Sequence, residues 1–258
     1  MQVLPKTLRH VHWVALGPGF GSWSDLLGRA TGLRTLRMTS LYVSSDLAAS
    51  GVTEQPTLSH LHTLIINGGA PGAEFLLKTL ATWELPALRD VTLSLPLIQP
   101  SYDATYAFLD HFGPQLRSLS LPGITSRQQL FEGILNRCPA LRCLSLSLKG
   151  PRFERMTALR PTQTSIVVVG VQSAFKDMAD LRLQHIDSWE DILKMFEAER
   201  FPALRRLHFS SILQNTLRQS HDVDQGIVSF WQRCIANAEA RGVVLEDAWS
   251  RPLRVETS

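Results

Sequence analysis

Cysteine is scarce in this sequence: Cys138, Cys143 and Cys234 are the only three in 258 residues. An odd and sparse set argues against a disulfide framework and suits a reducing compartment, so the chain is expected to be cytoplasmic, with the nucleus also open to it. Long apolar runs are missing too. No segment approaches the ~18 apolar residues of a membrane helix, and the opening "MQVLPKTLRHVHW" has no uninterrupted apolar core of a signal peptide. No N-x-Ser/Thr sequon occurs. Charge of one sign does not gather: 26 Lys and Arg stand against 23 Asp and Glu, for a formal net charge of +3. That mild basicity, spread over many segments, gives no reason to expect nucleic acid as a partner. A membrane partner is not expected either.

Catalytic patterns are also lacking. "GPGFGSW" (17–23) is glycine-rich but matches neither a dinucleotide-binding loop nor a phosphate loop, and reads as a turn into a helix capped by Ser22 or Ser24. No G-x-S-x-G elbow is found, and the many serines recur with a period instead of sitting beside a base. No enzyme activity, cofactor, metal or catalytic residue is expected. What the chain does have is material for a core, with 44% hydrophobic and 19% charged residues.

That material is organised by repetition. "LRTLRM" (33–38), "LHTLII" (61–66), "LRDVTL" (88–93), "LRSLSL" (116–121), "LRCLSL" (141–146) and "LRRLHF" (204–209) share the template L-x-x-L-x-L. "LRHVHW" (8–13) is a further copy, and "IVVVGV" (166–171) and "MADLRL" (178–183) fit more loosely. The anchors at 8, 33, 61, 88, 116 and 141 lie 25, 28, 27, 28 and 25 residues apart, a leucine-rich-repeat period. Between them run stretches with helical spacing: Leu76, Leu80 and Trp83; Tyr102, Tyr106 and Leu109; Leu130, Ile134 and Cys138; Trp189, Ile192, Leu193 and Phe196. Thr125 with Gln128 reads as a capping box, and Ser188 with Asp191 resembles one. "WELPAL", "RCPAL" and "RFPAL" place a proline just ahead of an anchor, where a helix must already have ended.

A unit of strand, loop, helix and loop implies the class. Strands sit about 4.8 Å apart while helices are about 10 Å wide, so stacking such units curves the array with strands inside. The expected fold is α/β, a leucine-rich-repeat solenoid in the form of a right-handed, ribonuclease-inhibitor-like horseshoe, with a parallel sheet on the concave face and helices on the convex face. The repeat domain is expected over 1–248, with an irregular repeat and basic insertion at about 149–177, a C-terminal cap helix at about 224–241, and a flexible tail at 249–258. No comparable N-terminal cap is found, from which we expect that something upstream has been lost or lies in another chain.

The pair Cys138 and Cys143 is expected to be inert. Cys138 ends a helical stripe and points inward, whereas Cys143 takes the third template position on the opposite face of its strand. His10 and His12 share one strand face without a third ligand at useful spacing, and His60 and His62 straddle an anchor.

A surface remains. If the leucine-class positions point into the core, alternation sends template positions three, five and seven to the concave side. The candidate partner-binding residues are Arg37, Thr63, Ile65, Asn67, Asp90, Thr92, Ser118, Ser120, Cys143, Ser145, Arg182, Arg206 and His208. A hydroxyl-lined floor with cationic flanks suits a folded partner or an extended acidic peptide, with Arg supplying bidentate contacts to carboxylate or phosphate.

"CPALRCLSL" (138–146), "FPALRRLHF" (201–209), "LPKTLRHV" (4–11) and "WQRCIANAEARGVVLED" (231–247) together resemble the leucine-rich-repeat region of F-box proteins, especially the divergent fungal kind. The resemblance implies a substrate-recognition module of an SCF-type ubiquitin ligase, in which the repeats hold a protein substrate and a separate F-box docks on the Skp adaptor. No F-box is recognisable here, since nothing before Leu4 or between repeats gives the L-P-x-E-[IL] start, so the adaptor is expected as a partner only if an F-box lies upstream.

Overall fold

The computed structural model describes residues 8–15, 30–40, 57–68, 70–94, 99–122, 128–148, 165–173, 186–210 and 225–254. It is an α/β protein with nine parallel strands in sequence order. The chain divides into two compact units, Met1–Gly123 with Asn136–Leu141, and Ile124–Leu135 with Arg142–Ser258.

The first unit carries β1 (His10–Ala15), β2 (Thr35–Ser40), β3 (Thr63–Gly68), β4 (Asp90–Ser94) and β5 (Ser118–Leu121), with helices α1 (Ala70–Leu80) and α2 (Gln99–Phe112). Each strand begins two residues after an anchor leucine, and the pairing register places His10, Thr35, Thr63, Asp90 and Ser118 side by side. These are the third positions of five copies of the template. One backbone device repeats at every rung: the carbonyl of Arg9 accepts N–H bonds from both Arg34 and Thr35, that of Arg34 from His62 and Thr63, that of His62 from Arg89 and Asp90, and that of Arg89 from Arg117 and Ser118.

A four-residue turn sets six of the anchors in place. The N–H groups of Leu33, Leu61, Leu88 and Leu116 donate to the carbonyls of Ala30, Leu58, Leu85 and Gly113, and Leu141 and Leu204 do the same to Cys138 and Phe201. Pro86, Pro114, Pro139 and Pro202 occupy the second position of four of these turns. Proline there fixes φ near the value the turn needs and gives up an N–H that the turn does not use. The P-A-L signal is therefore a turn that ends the previous helix and aims the next strand.

Burial alternates as the template requires. Leu36, Met38, Leu64, Ile66, Val91, Leu93, Leu119 and Leu121 are buried, along with Leu76, Leu77 and Leu80 of α1 and Ala104, Phe108 and Leu109 of α2. In β1, by contrast, Val11 and Trp13 are only half-buried. Gly113 is needed for close packing, because a Cβ there would meet the Arg137 carbonyl oxygen at 2.3 Å. Arg137 closes the same corner: its Nε lies 2.7 Å from Asp110 Oδ1 and its guanidinium sits 4.1 Å from the Tyr106 ring centroid.

The second unit carries β6 (Cys143–Leu148), β7 (Val168–Ser173), β8 (Arg206–Phe209) and β9 (Val244–Glu246), with α4 (Ile186–Met195) and α5 (Gln225–Ala240). A further helix, α3 (Gln128–Arg137), has its last two residues grouped with the first unit. Cys143, Val168, Arg206 and Val244 stand in register. On the buried side of this sheet, Trp189 of α4, Phe209 of β8 and Trp231 of α5 meet with centroids 5.5–5.8 Å apart, and Phe230 joins Trp231 at 5.4 Å. These tilted and edge-to-face contacts are the arrangement aromatic quadrupoles favour.

Several expectations change here. β7 and β8 pair directly, and "MADLRL" (178–183), including Arg182, lies outside the described residues. So do the basic stretch 149–164, Thr125 and the glycine-rich 17–23. Ser188 does not start its helix, because α4 begins at Ile186. "GVVLED" (242–247), which follows the expected cap helix, contains β9. Helix α5 ends on Gly242 at φ 69°, with Gly242 N–H bonded to Glu239 and Val243 N–H to Ala238. This is a Schellman ending, with buried Val243 and Ala238 supplying its apolar contact.

Asp247 then takes the place where other rungs put a core leucine. It is fully buried, and its Oδ1 accepts N–H bonds from Trp249 and Arg251. The chain folds back from there, with Leu253 buried and its N–H bonded to the Leu245 carbonyl. Residues 249–254 of the segment expected to be a flexible tail are therefore docked on β9, and 255–258 lie outside the described residues.

Candidate functional site

The face of each sheet opposite the leucines carries the candidate residues. In the first unit the third-position row runs His10, Thr35, Thr63, Asp90 and Ser118, and the fifth-position row runs His12, Arg37, Ile65, Thr92 and Ser120. Val14, Thr39 and Asn67 begin the seventh-position row, Asn67 lying beside Ser94 of β4. Arg37 is exposed, and Thr63, Ile65, Asn67, Asp90, Thr92, Ser118 and Ser120 are partly so, each flanked by neighbouring rungs. Side chains here emerge in columns because parallel strands in register stack like positions. His12 Nε2 lies 3.2 Å from Thr39 Oγ1, which ties the first rung to the second on this face.

In the second unit the third-position row is Cys143, Val168, Arg206 and Val244, and the fifth is Ser145, Gly170, His208 and Glu246. Cys143, Ser145 and Arg206 are exposed and His208 is partly buried. Gly170 leaves a notch in its row: a Cβ there would lie 3.3 Å from Ser145 Oγ, so the serine hydroxyl leans over the glycine backbone. On the other side of the notch, His208 Nδ1 lies 3.9 Å from Glu246 Oε2, an ion-pair distance too long for a hydrogen bond.

Glu246 and the notch at Gly170 escaped the sequence reading. The template continued in register past α5 would have found the first, because "GVVLED" keeps a leucine at the fourth position. The second was visible as the glycine of "IVVVGV".

The cysteines separate as expected from alternation. Cys143 is exposed, while Cys138 is buried and its thiol is pushed up to about 12 by desolvation, offset in part by the Arg137 charge. Cys234 on α5 is likewise pushed up to about 11, mainly by burial. It lines a cleft of about 250 Å³ with Leu193, Phe196, Leu204, Arg233 and Arg241.

Among the described residues no group of three or more His, Cys, Asp or Glu is placed to hold a metal ion. No helix among them is long and apolar enough to cross a membrane. No protein-family model matches the chain, and no curated protein matches it.

Proposed function

We propose that the chain is a leucine-rich-repeat solenoid that binds a protein partner through the exposed face of its strands, and that it serves as the substrate-recognition part of an F-box-like, SCF-type ubiquitin ligase receptor. In this reading the sheet is the concave lining of a horseshoe and the helices its convex back. The observation that carries the proposal is the register: the third and fifth positions of successive repeats fall into rows of Thr, Ser, Asp, Arg and His, while the leucines of the same repeats are buried. Parallel rows of short polar groups on a sheet offer hydrogen-bond partners with little conformational freedom to lose, which favours recognition of an extended or flat protein surface. The resemblance of "CPALRCLSL" and "FPALRRLHF" to F-box repeat regions supplies the ligase connection.

The test is affinity capture of the full-length gene product from its own cells, compared with Arg37→Glu and Ser120→Arg variants that melt at the same temperature. The proposal expects the Skp adaptor with all three forms, and a substrate protein with the unaltered form alone. Capture of the same partner without Skp would favour a second reading, a free-standing repeat scaffold with no ubiquitin connection. Retention of the partner by both variants would refute the assignment of the face.

A further inference from the structure

The second template position belongs to neither the leucine core nor the rows of the sheet face, and in the first unit it is filled by Arg9, Arg34, His62, Arg89 and Arg117. These residues are aligned by the backbone itself, because the carbonyl of each of the first four accepts the N–H of the next. They form a column along the edge where the strands begin, one residue per rung, at about 4.8 Å per step. All are exposed except Arg89, which is partly so.

None of the ion pairs among the described residues involves this column. The turns that precede it carry no carboxylate: Thr31 and Gly32, Ser59 and His60, Pro86 and Ala87, Pro114 and Gln115. The nearest acid upstream of Arg89 is Glu84, which accepts a bond from Thr57 Oγ1 at 3.0 Å.

Two of the guanidinium groups are held in place by the fold. Arg9 Nη1 donates to the Gly32 carbonyl at 3.2 Å, and Arg89 Nη1 donates to Pro86 and Leu88 carbonyls at 3.1 and 2.7 Å. Each of these bonds uses Nη1, leaving Nη2 and Nε without a partner among the described residues. A fork that is already positioned loses less freedom on binding than a free side chain.

We infer that this edge of the first unit is a docking rail for an acidic, extended polypeptide segment, distinct from the polar rows of the sheet face. The inference rests on the reading that the chain binds protein. Five rungs span about 19 Å, the length of about six extended residues, and carboxylates spaced along such a segment meet an arginine fork at nearly every rung. Nucleic acid fits less well. Among the described residues the column offers bases one ring to stack on, that of His62, and the exposed large apolar residues, Val14, Val244 and Trp249, lie elsewhere.

The experiment uses the whole chain and a fluorescent twelve-residue peptide of alternating Glu and Ser, with a Lys-Ser peptide and oligo-dT of equal length as controls. Anisotropy titrations should show binding of the Glu-Ser peptide alone, weakening several-fold between low and physiological salt. Arg34→Ala, Arg89→Ala and Arg117→Ala combined should weaken it about ten-fold or more. The corresponding Arg→Lys triple, which keeps the charge and stem but loses the fork, should weaken it less, and it decides the matter if the alanine triple melts early. Arg37→Glu on the sheet face should leave peptide binding within about two-fold.

No binding of the Glu-Ser peptide, equal binding of oligo-dT, or full affinity in the folded triple variants would overturn the inference. Loss of the captured partner in Arg37→Glu without any peptide binding would refute the rail while leaving the proposed function standing.

Discussion

The two units solve one packing problem at different repeat spacings. In the first, anchors at 33, 61, 88 and 116 lie 28, 27 and 28 residues apart, and the buried fourth and sixth positions are filled almost wholly by Leu, Ile, Val and Met. In the second, the anchors at 166 and 204 lie 38 apart, and beside buried Leu144, Leu146, Val169, Val171 and Leu207 the core takes in Trp189, Phe209, Phe230 and Trp231. The strands nonetheless keep register through both spacings. The strand half of a repeat is fixed by hydrogen bonds to its neighbours, whereas the helix half is free to vary in length so long as side-chain volume fills the space beneath it.

That contrast predicts where the molecule breaks. Trp231 is the hub of the second unit's aromatic cluster, so Trp231→Ala should cost about 3–5 kcal/mol, read as faster hydrogen exchange at the β8 and β9 amides. A cost below about 1 kcal/mol would mean that the cluster is not what fills the longer repeats.

The leucine rungs should behave alike in both units. Leu119→Ala and Leu144→Ala should each cost about 2–5 kcal/mol, and a large difference between them would show that the two ladders are not built on the same plan. Gly113→Ala belongs to the first unit alone; the added methyl meets the Arg137 carbonyl, and the expected loss is about 1–3 kcal/mol. On the exposed face, Ser120→Ala and Ser145→Ala should stay within about 0.5 kcal/mol of the unaltered protein by chemical denaturation.

Thiol chemistry sharpens the comparison at the smallest scale. Cys143 should label first, Cys234 more slowly, and Cys138 only on unfolding. Because burial raises the Cys138 pKa, the native state holds a proton that the unfolded chain releases in alkali; this contribution is complete below the unfolded thiol's pKa and fades as pH rises toward about 12. Early labelling of Cys138 would mean that its thiol is not packed in the core beside Gly113.

Much of this was legible in the sequence because a period of two within each motif and of about 25–28 between motifs leaves few arrangements open. The eight motifs at 8, 33, 61, 88, 116, 141, 166 and 204 all became strands. The ninth was hidden because Gly242 stands at its anchor and Asp247 at its last core position: one serves the ending of a helix and the other the end of the stack, and both replace leucine for local reasons. The looser match at 178–183, only 12 positions after the previous anchor, lies outside the described residues. On the exposed face, alternation gave the rows, but a residue that matters by lacking a side chain, Gly170, leaves no mark in a pattern of side chains.

Cysteine scanning across β4, one position at a time from Asp90 to Leu93, tests the account most directly. Labelling of the folded protein should be fast at 90 and 92 and slow at 91 and 93; fast labelling at 91 and 93 with protection at 90 and 92 would turn the sheet over and remove the proposed binding face with it.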